Sequence, residues 1–422
     1  MIGASGSEPD GFPEVAIVNG AMNVNTTSLG SGAGVYVYRN TGDWENPANG
    51  LTFLQNITEG LVDGMGEPVT VPAEVRFAHM NADEHLDLVV SAASLEPNAD
   101  PAEGTWGVFV YVWNSQAEQF DLKSHIQTPA PVRGFAIADF DNDGLIDVVA
   151  AVDLNQQTYD PLDAAYFLYN LPYDPGRLEL AATVVTGTFL NSGDVVAADF
   201  NKLLFGLPLI DAVTGDLFDD GVSVLTNGGG FNFGLARRTP ACSEGFNAWL
   251  FHDMAVGRFT AGSTREDIAG LLRNDQVRIL HGDGRGNFIY DCGDNENPGL
   301  DTDDFDPPGG GGDPLPPVWN GIAVGHLNGG TKPDLVVTVP ADLTSRAWIL
   351  LGKGDGRFQY NAGDPKYRLP LDDGNGSDFS KLSIQVVCAD LNQDGFDDII
   401  TSNHRSHTIS VLINSTLIVG GP

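Results

Sequence analysis

Only three cysteines, Cys242, Cys292 and Cys388, occur in the 422 residues, too few for a framework of disulfides. Basic residues are scarce as well: 21 Lys and Arg stand against 57 Asp and Glu, a formal net charge of −36. That imbalance argues against a nucleic-acid partner and repels anionic membrane surfaces. No apolar run is long enough to span a bilayer, and no stretch carries convincing helical periodicity. Met1-Ile-Gly-Ala-Ser-Gly lacks the basic start and apolar middle of a signal peptide, so the protein is either intracellular or a mature or trimmed form. The second is the expectation, because acidic loops of the calcium type, which this chain carries, belong outside the cell. No Gly-rich phosphate loop precedes a helix, and no Ser/His/Asp set can be assembled from spacing.

What the chain has instead is glycine, 52 residues of it, and a 42% hydrophobic fraction, enough for a core cut by many turns. The most ordered stretch is Asp139-Phe-Asp-Asn-Asp-Gly-Leu-Ile-Asp147. Carboxylates fall at positions 1, 3, 5 and 9 of a nine-residue loop, with Gly144 at position 6. An oxygen at every second residue, followed by a glycine free to turn sharply, is how a short loop wraps a hard cation. The opening matches an EF-hand loop, but the last acid comes at position 9 and the flanks read as strands. The same pattern returns as Asp390, Asn392, Asp394 and Asp398, with Gly395 at position 6. Each loop is expected to hold one calcium ion.

With this loop as a ruler, five weaker copies come into view. The first keeps Glu8, Asp10 and Glu14 but has Gly6 at position 1, which makes it a third, weaker calcium candidate. Others run from His79 to Asp87, from Asp199 to Asp211 with four extra residues, from Arg258 to Asp267 with one extra residue, and from His326 to Asp334. The closing acids at 14, 87, 147, 211, 267, 334 and 398 are spaced by 73, 60, 64, 56, 67 and 64 residues. After each comes an apolar run, a loop, an alternating strand such as Val108-Phe-Val-Tyr-Val112, a Gly-rich turn, and a short aromatic strand at Phe53, Phe120, Phe231, Phe288 or Phe358.

Seven repeats of four antiparallel strands predict an all-β, seven-bladed β-propeller occupying residues 1–422 as one domain. The blades are placed at roughly 1–60, 75–122, 133–180, 193–235, 251–290, 318–360 and 382–419, with an acidic Gly/Pro-rich inter-blade loop at 291–317. In such a meander the calcium loops join strands one and two and share one face. The long loops 20–34, 93–106, 152–164, 236–250 and 290–318 share the other.

These units resemble the FG-GAP or VCBS repeats of bacterial surface proteins and of the integrin α-subunit head, where D-x-D-x-D-G-x-x-D precedes an apolar strand, a V-x-V-L-L strand and a G-x-G-x-F turn. Asp390 to Asn414 is the nearest copy and Arg133 to Asn170 the next. The resemblance covers essentially the whole chain, and its metal ligands carry over at 139–147 and 390–398. It implies a secreted or surface-displayed propeller, stabilised by calcium, that engages a protein or glycan through the long-loop face. Propellers of this kind also resemble parts of polysaccharide lyases and phospholipases, so an enzyme remains an alternative, as does a structural subunit of an extracellular assembly. No converging acid/base set is visible in the sequence.

Other residues carry weaker signals. His79 and His326 stand where the first ligand belongs and read as hydrogen-bonded turns, and His404-Arg-Ser-His407 reads as a solvated loop. Trp44, Trp106, Tyr159, Trp249 and Trp319 offer either a sugar platform or blade packing. Cys242 and Cys292 flank the fifth repeat on the long-loop side and are expected to form a disulfide, whereas Cys388 is expected to be a buried free thiol. The sequons at Asn25, Asn56, Asn375 and Asn414 matter only in a glycosylating source.

Overall fold

The computed structural model describes residues 13–19, 34–46, 49–61, 70–93, 106–152, 164–185, 194–202, 208–216, 221–234, 237–240, 251–272, 277–290, 321–341, 344–359, 368–371, 383–403 and 408–414. Among them every regular element is a strand, every pairing is antiparallel, and the strands form seven separate sheets arranged as seven blades. The seven-bladed propeller is therefore observed directly.

Blade one holds β1 (Val15–Asn19), β2 (Gly34–Asn40) and β3 (Leu51–Ile57). Blade two holds β4 (Val71–Ala78), β5 (Asp87–Ala93), β6 (Gly107–Asn114) and β7 (Gln119–Gln127). Blade three follows with β8 (Val132–Ala138), β9 (Asp147–Val152), β10 (Ala164–Asn170) and β11 (Leu178–Val185). Blade four contains β12 (Val195–Ala198), β13 (Asp211–Asp216), β14 (Gly221–Leu225) and β15 (Arg237–Pro240). In blade five these are β16 (Phe251–Gly257), β17 (Asp267–Leu272), β18 (Val277–Gly282) and β19 (Phe288–Tyr290). Blade six has β20 (Gly321–Gly325), β21 (Asp334–Ala341) and β22 (Thr344–Gly352), and β22 pairs with both β23 (Phe358–Gln359) and β24 (Arg368–Pro370), so its outer strand comes in two pieces. Blade seven ends the ring with β25 (Ser383–Ala389), β26 (Asp398–Asn403) and β27 (Thr408–Leu412).

Two expectations need correction. Blades one and seven show three strands each among the described residues, not four. Phe231 belongs to no strand: it sits in a turn with φ +60°, and the outer strand of blade four is β15.

The repeat of apolar residues on every position of the second strands now has a cause. All six residues of β9 are buried. Val148, Ala150 and Val152 pack with Met80, Val89 and Val110 of blade two, whereas Val149 and Ala151 pack with Val195, Ala212 and Leu225 of blade four. Side chains alternate across a strand, so a sheet sandwiched between two others must be apolar on both faces. The core is thus seven wedges, each shared by two neighbouring blades. The last one closes the ring, joining Val15 of blade one to Ala389, Leu391 and Ile400 of blade seven.

The closing acids turn out to be structural in six blades, two to seven, where both they and loop position 2 are described. Asp87, Asp147, Asp211, Asp267, Asp334 and Asp398 are buried, none more than 3% exposed. One oxygen of each accepts the N–H of loop position 2: Met80, Phe140, Phe200, Phe259, Leu327 and Leu391 respectively. The other accepts an N–H from the last residues of strand three or from two residues beyond it: Trp113, Asn170, Asn227, Gly282, Gly352 and Asn414. Each acid therefore ties its own loop to its own third strand.

A second bond ties blade to blade. The carbonyl of loop position 2 accepts a donor from the following blade. Asn170 Nδ2 donates to Met80 at 2.8 Å, Asn227 to Phe140 at 2.7 Å and Asn414 to Leu327 at 2.7 Å. Asn40 donates to Leu391 at 2.9 Å across the ring closure. In blades five and six the Asn position is Gly282 and Gly352, where an added Cβ would lie 2.2 Å from the carbonyl oxygen of Glu266 or Pro333. The donor there is a backbone N–H of the G-x-G turn, Gly286 to Phe200 at 3.2 Å and Gly356 to Phe259 at 3.1 Å. The glycine turns and the asparagines are two solutions to one requirement, a donor for a buried carbonyl.

Asn227→Ala removes this donor and leaves the Phe140 and Ile210 carbonyls short of a partner. It should destabilise the fold by about 1–3 kcal/mol, read as a lower urea midpoint with an unchanged slope. Asn227→Asp, which turns a carboxylate toward two carbonyls, should lower the midpoint further.

Candidate metal centre

The loop 139–147 is shaped by its own backbone donors. Asp143 N–H donates to Asp139 Oδ1 and Asp141 Oδ1, both at 3.1 Å, Gly144 N–H to Asp139 Oδ2 at 3.0 Å, and Leu145 N–H to Asp143 Oδ1 at 2.9 Å. Asn142 and Gly144 take positive φ, +63° and +93°. The loop 390–398 repeats this almost bond for bond. Asp394 N–H bonds Asp390 and Asn392 at 3.0 Å, Gly395 bonds Asp390 at 2.9 Å, and Phe396 bonds Asp394 at 2.9 Å. Gln393 and Gly395 again lie at +59° and +88°. Open space surrounds both glycines, so it is the backbone conformation, not crowding, that calls for glycine at position 6.

The two loops differ in what they gather. Asp139, Asp141 and Asp147 each present a ligand oxygen, all within 4.8 Å of one another, a convergence of three acids found at no other place among the described residues. Asp143, the fourth acid expected there, is exposed, and its Oδ2 accepts the Tyr169 phenol at 3.3 Å. In the second loop Asn392 replaces the middle acid and spends its amide on Asp394 at 3.1 Å. Burial pushes the Asp147 carboxyl up to about 8, against the hydrogen bonds from Asn170 and Phe140 and with help from Asp141 and Asp143. Asp398 is pushed to about 6, again chiefly by burial. Crowded acids with a buried member call for a counter-charge. An all-oxygen set with a turn at position 6 suits calcium, whereas zinc takes nitrogen and sulfur.

The other loops supply that counter-charge or donor from their own side chains. In blade two His79 Nδ1 donates to the carbonyl of His85, position 7, at 2.9 Å. In blade four Asn201 Nδ2 donates to Asp211 at 3.0 Å, and Lys202 reaches Glu266 of blade five at 3.3 Å. In blade five Arg258, at position 1, grips Glu266 at 2.6–2.8 Å. In blade six Asn328 Nδ2 donates to Asp334 at 3.2 Å. Of the first loop, Glu14 is buried, while Glu8 and Asp10 lie outside the described residues.

Further expectations can be placed. Trp44 and Trp106 are packing residues: Trp44 donates to the Leu391 carbonyl at 3.1 Å, and Trp106 is buried in the wedge between blades two and three. Cys388 is a free thiol, raised by burial. Cys242, Cys292, Tyr159, Trp249, Trp319, His404, His407 and almost all of the long loops lie outside the described residues. The Asn414 sequon is spent, because its amide is the blade-six latch.

One group escaped sequence reading. Glu74 on β4, Asp194 just before β12 and Asp253 on β16 occupy the same repeat position in blades two, four and five, five residues before loop position 1. Each accepts an N–H from the inner strand of a neighbouring blade: Phe135 at 3.2 Å, Met254 at 2.6 Å and Ile322 at 2.9 Å. Arg76 pairs with Glu74 and lies 5.5 Å from the centre of the Phe135 ring. Burial raises Asp194 and Asp253, Asp253 to about 6. Aligning the repeats at the fifth residue before each loop would have found them, since Gly134, Gly321 and Gln385 fill that position in blades three, six and seven.

Among the described residues no helix is long and apolar enough to cross a membrane. No protein-family model matches the chain, and no curated protein matches it. Among solved structures the chain is similar to Saccharomyces cerevisiae Sqt1, at 12% identity and TM-score 0.49 over 98% of this chain and 84% of that one. It is also similar to BBS1N in its complex with ARL6DN, at 9% identity and TM-score 0.46 over 93% and 91%. A putative exo-beta-1,3-galactanase from Bifidobacterium bifidum s17 shows 13% identity and TM-score 0.40 over 70% and 91%. All three scores lie below one half, so the architecture rests on the strand pairing described above.

The closing acid of a loop without an acidic triad gives a clean pH test. Burial holds Asp211 at about 7 in the folded chain, against 3.8 for an ordinary aspartate. The folded state then holds a proton that the unfolded state releases, so this residue's contribution to stability falls as pH rises from about 4 to about 7. Asp211→Asn should flatten that fall, measured as the urea midpoint against pH. Equal slopes for parent and variant would show that Asp211 titrates normally.

Proposed function

We propose that the chain is a calcium-braced binding propeller, secreted or displayed at the cell surface, which engages a protein or glycan through the face carrying loops 20–34, 93–106, 152–164, 236–250 and 290–318. The observation that carries this reading is the contrast between loops. Two loops hold alternating oxygens in the same backbone conformation, and in the first of them three acids converge, while blades two, four, five and six carry His79, Asn201, Arg258 and Asn328 as donors within their own loops. Asp139, Asp141, Asp143 and Asp147 would hold one ion, and Asp390, Asn392, Asp394 and Asp398 the other. Glu8, Asp10 and Glu14 remain a third candidate. The ions would fix loops already tied to strand three and to the next blade, a structural role.

Several features support binding at the opposite face. Loops held by a rigid scaffold are the usual place for recognition. The resemblance to FG-GAP and VCBS repeats points to adhesion outside the cell, where a Cys242–Cys292 bridge would form. With a net charge of −36, the partner should be basic, a neutral glycan, or bridged by divalent ions. The rival reading, an enzyme acting on polysaccharide or lipid, would draw on Glu74, Asp194 and Asp253, buried acids close enough to interact electrostatically. Their engagement with neighbouring backbone N–H groups favours a role in holding blades together.

Excess chelator should lower the melting temperature, because the ions bind the folded form, and Asp139→Asn combined with Asp390→Asn should mimic it. Replacing the long loops should abolish attachment to the native surface while leaving the melting temperature in calcium unchanged. Turnover of a polysaccharide or lipid by purified protein would decide for the enzyme.

A further inference from the structure

The two calcium-type loops share one backbone, so any difference between them must come from side chains. Asp143 and Asp394 hold equivalent places at position 5, and each has its Oδ2 engaged by one donor. The donors are unlike. In blade seven it is the Asn392 amide of the loop itself, at 3.1 Å. In blade three it is the phenol of Tyr169, which lies on the third strand and reaches Asp143 at 3.3 Å. Tyr169 precedes the latch residue Asn170 just as Ile413 precedes Asn414, so blade seven has no hydroxyl at that place. The ring of Tyr169 is supported in turn by Phe231 of blade four, edge to face at 5.4 Å. The strained turn that places Phe231, at φ +60°, thus bears on the neighbouring loop.

An external donor has two effects. It fixes the orientation of Asp143 without using a ligand of the loop, and it leaves Asp141 free to converge with Asp139 and Asp147. In blade seven the middle residue is neutral, with one oxygen to offer and its Nδ2 used to hold Asp394. We propose that Tyr169 is a positioning residue of the blade-three cation site and ranks that site above the blade-seven site in affinity. This rests on the reading of both loops as calcium sites. The ligand charge count favours the same order, four carboxylates against three. Groups that orient ligands typically contribute about 10–100-fold in metal affinity.

The two sites have separate optical reporters. Tyr169 touches the first loop, and Trp44 lies on the second, donating to the Leu391 carbonyl at 3.1 Å. Terbium emission sensitised through tyrosine should therefore report the first site, and emission excited where only tryptophan absorbs the second. In a titration of the full chain with terbium, the tyrosine-driven signal should saturate first. Calcium calorimetry should show two classes of site, with Asp139→Asn deleting the tighter class. Tyr169→Phe should weaken that class about ten-fold, leaving the weaker class and the melting temperature in excess chelator unchanged. Ile413→Tyr should tighten the weaker class.

Two classes that do not respond to Tyr169→Phe would overturn the proposal while leaving both calcium sites standing. Equal weakening of both classes, or a lower melting temperature in chelator, would assign Tyr169 to folding alone. No uptake of calcium or terbium by the parent would sink the calcium reading itself, and this proposal with it.

Discussion

A buried carboxylate that accepts two backbone N–H groups is the constraint on which this ring depends. It recurs at Asp87, Asp147, Asp211, Asp267, Asp334 and Asp398, always with one oxygen on the loop and one at the end of the third strand. Removing a carboxylate from water is expensive, and only charge-assisted bonds of this kind compensate it. Once the acid has fixed the loop, the carbonyl of position 2 points at the next blade, where an Asn side chain or a glycine-turn N–H meets it. Local order within a blade and registry between blades therefore come from one residue.

That residue separates two properties that a calcium motif normally merges. The closing acid is present also in loops that lack some or all of the acids at positions 1, 3 and 5, because its backbone partners are there without them. The outer positions are free to change, and their replacements are themselves donors or cations: His79, Asn201, Arg258 and Asn328. Substitution of a ligand by a group that supplies the missing positive charge or hydrogen is what an ion-dependent loop needs to become self-sufficient.

Much of the ring was legible because the spacing of the closing acids counts blades, and the uninterrupted apolar second strands announce sheets covered on both faces. The reason for the acids was not legible, since a pattern of oxygens reads first as a metal site. Phe231 looked like the aromatic start of an outer strand, but it lies inside the turn itself, where Asn232 N–H bonds the Gly229 carbonyl, and its ring is used sideways, against Tyr169. Glu74, Asp194 and Asp253 were missed because each is isolated in sequence and meaningful only when the repeats are superposed. Tyr169 was hidden for a similar reason: nothing in a V-x-V-L-type strand marks the residue whose hydroxyl will reach 26 positions back.

The closing wedge has a consequence for how the chain comes to be. Asn40 and Leu391, joined by one hydrogen bond, are separated by 351 positions, and Val15 shares its apolar surroundings with Ile400. During synthesis at about 5–20 residues per second, blade one waits tens of seconds for its second neighbour. Until then one side of its sheet, with Ile17, Tyr38 and Leu51, has no cover from the blade that will finally shield it. The ring is thus born as an open arc with a sticky leading edge, and its yield will be set by how well that edge is kept from other chains before the last blade arrives.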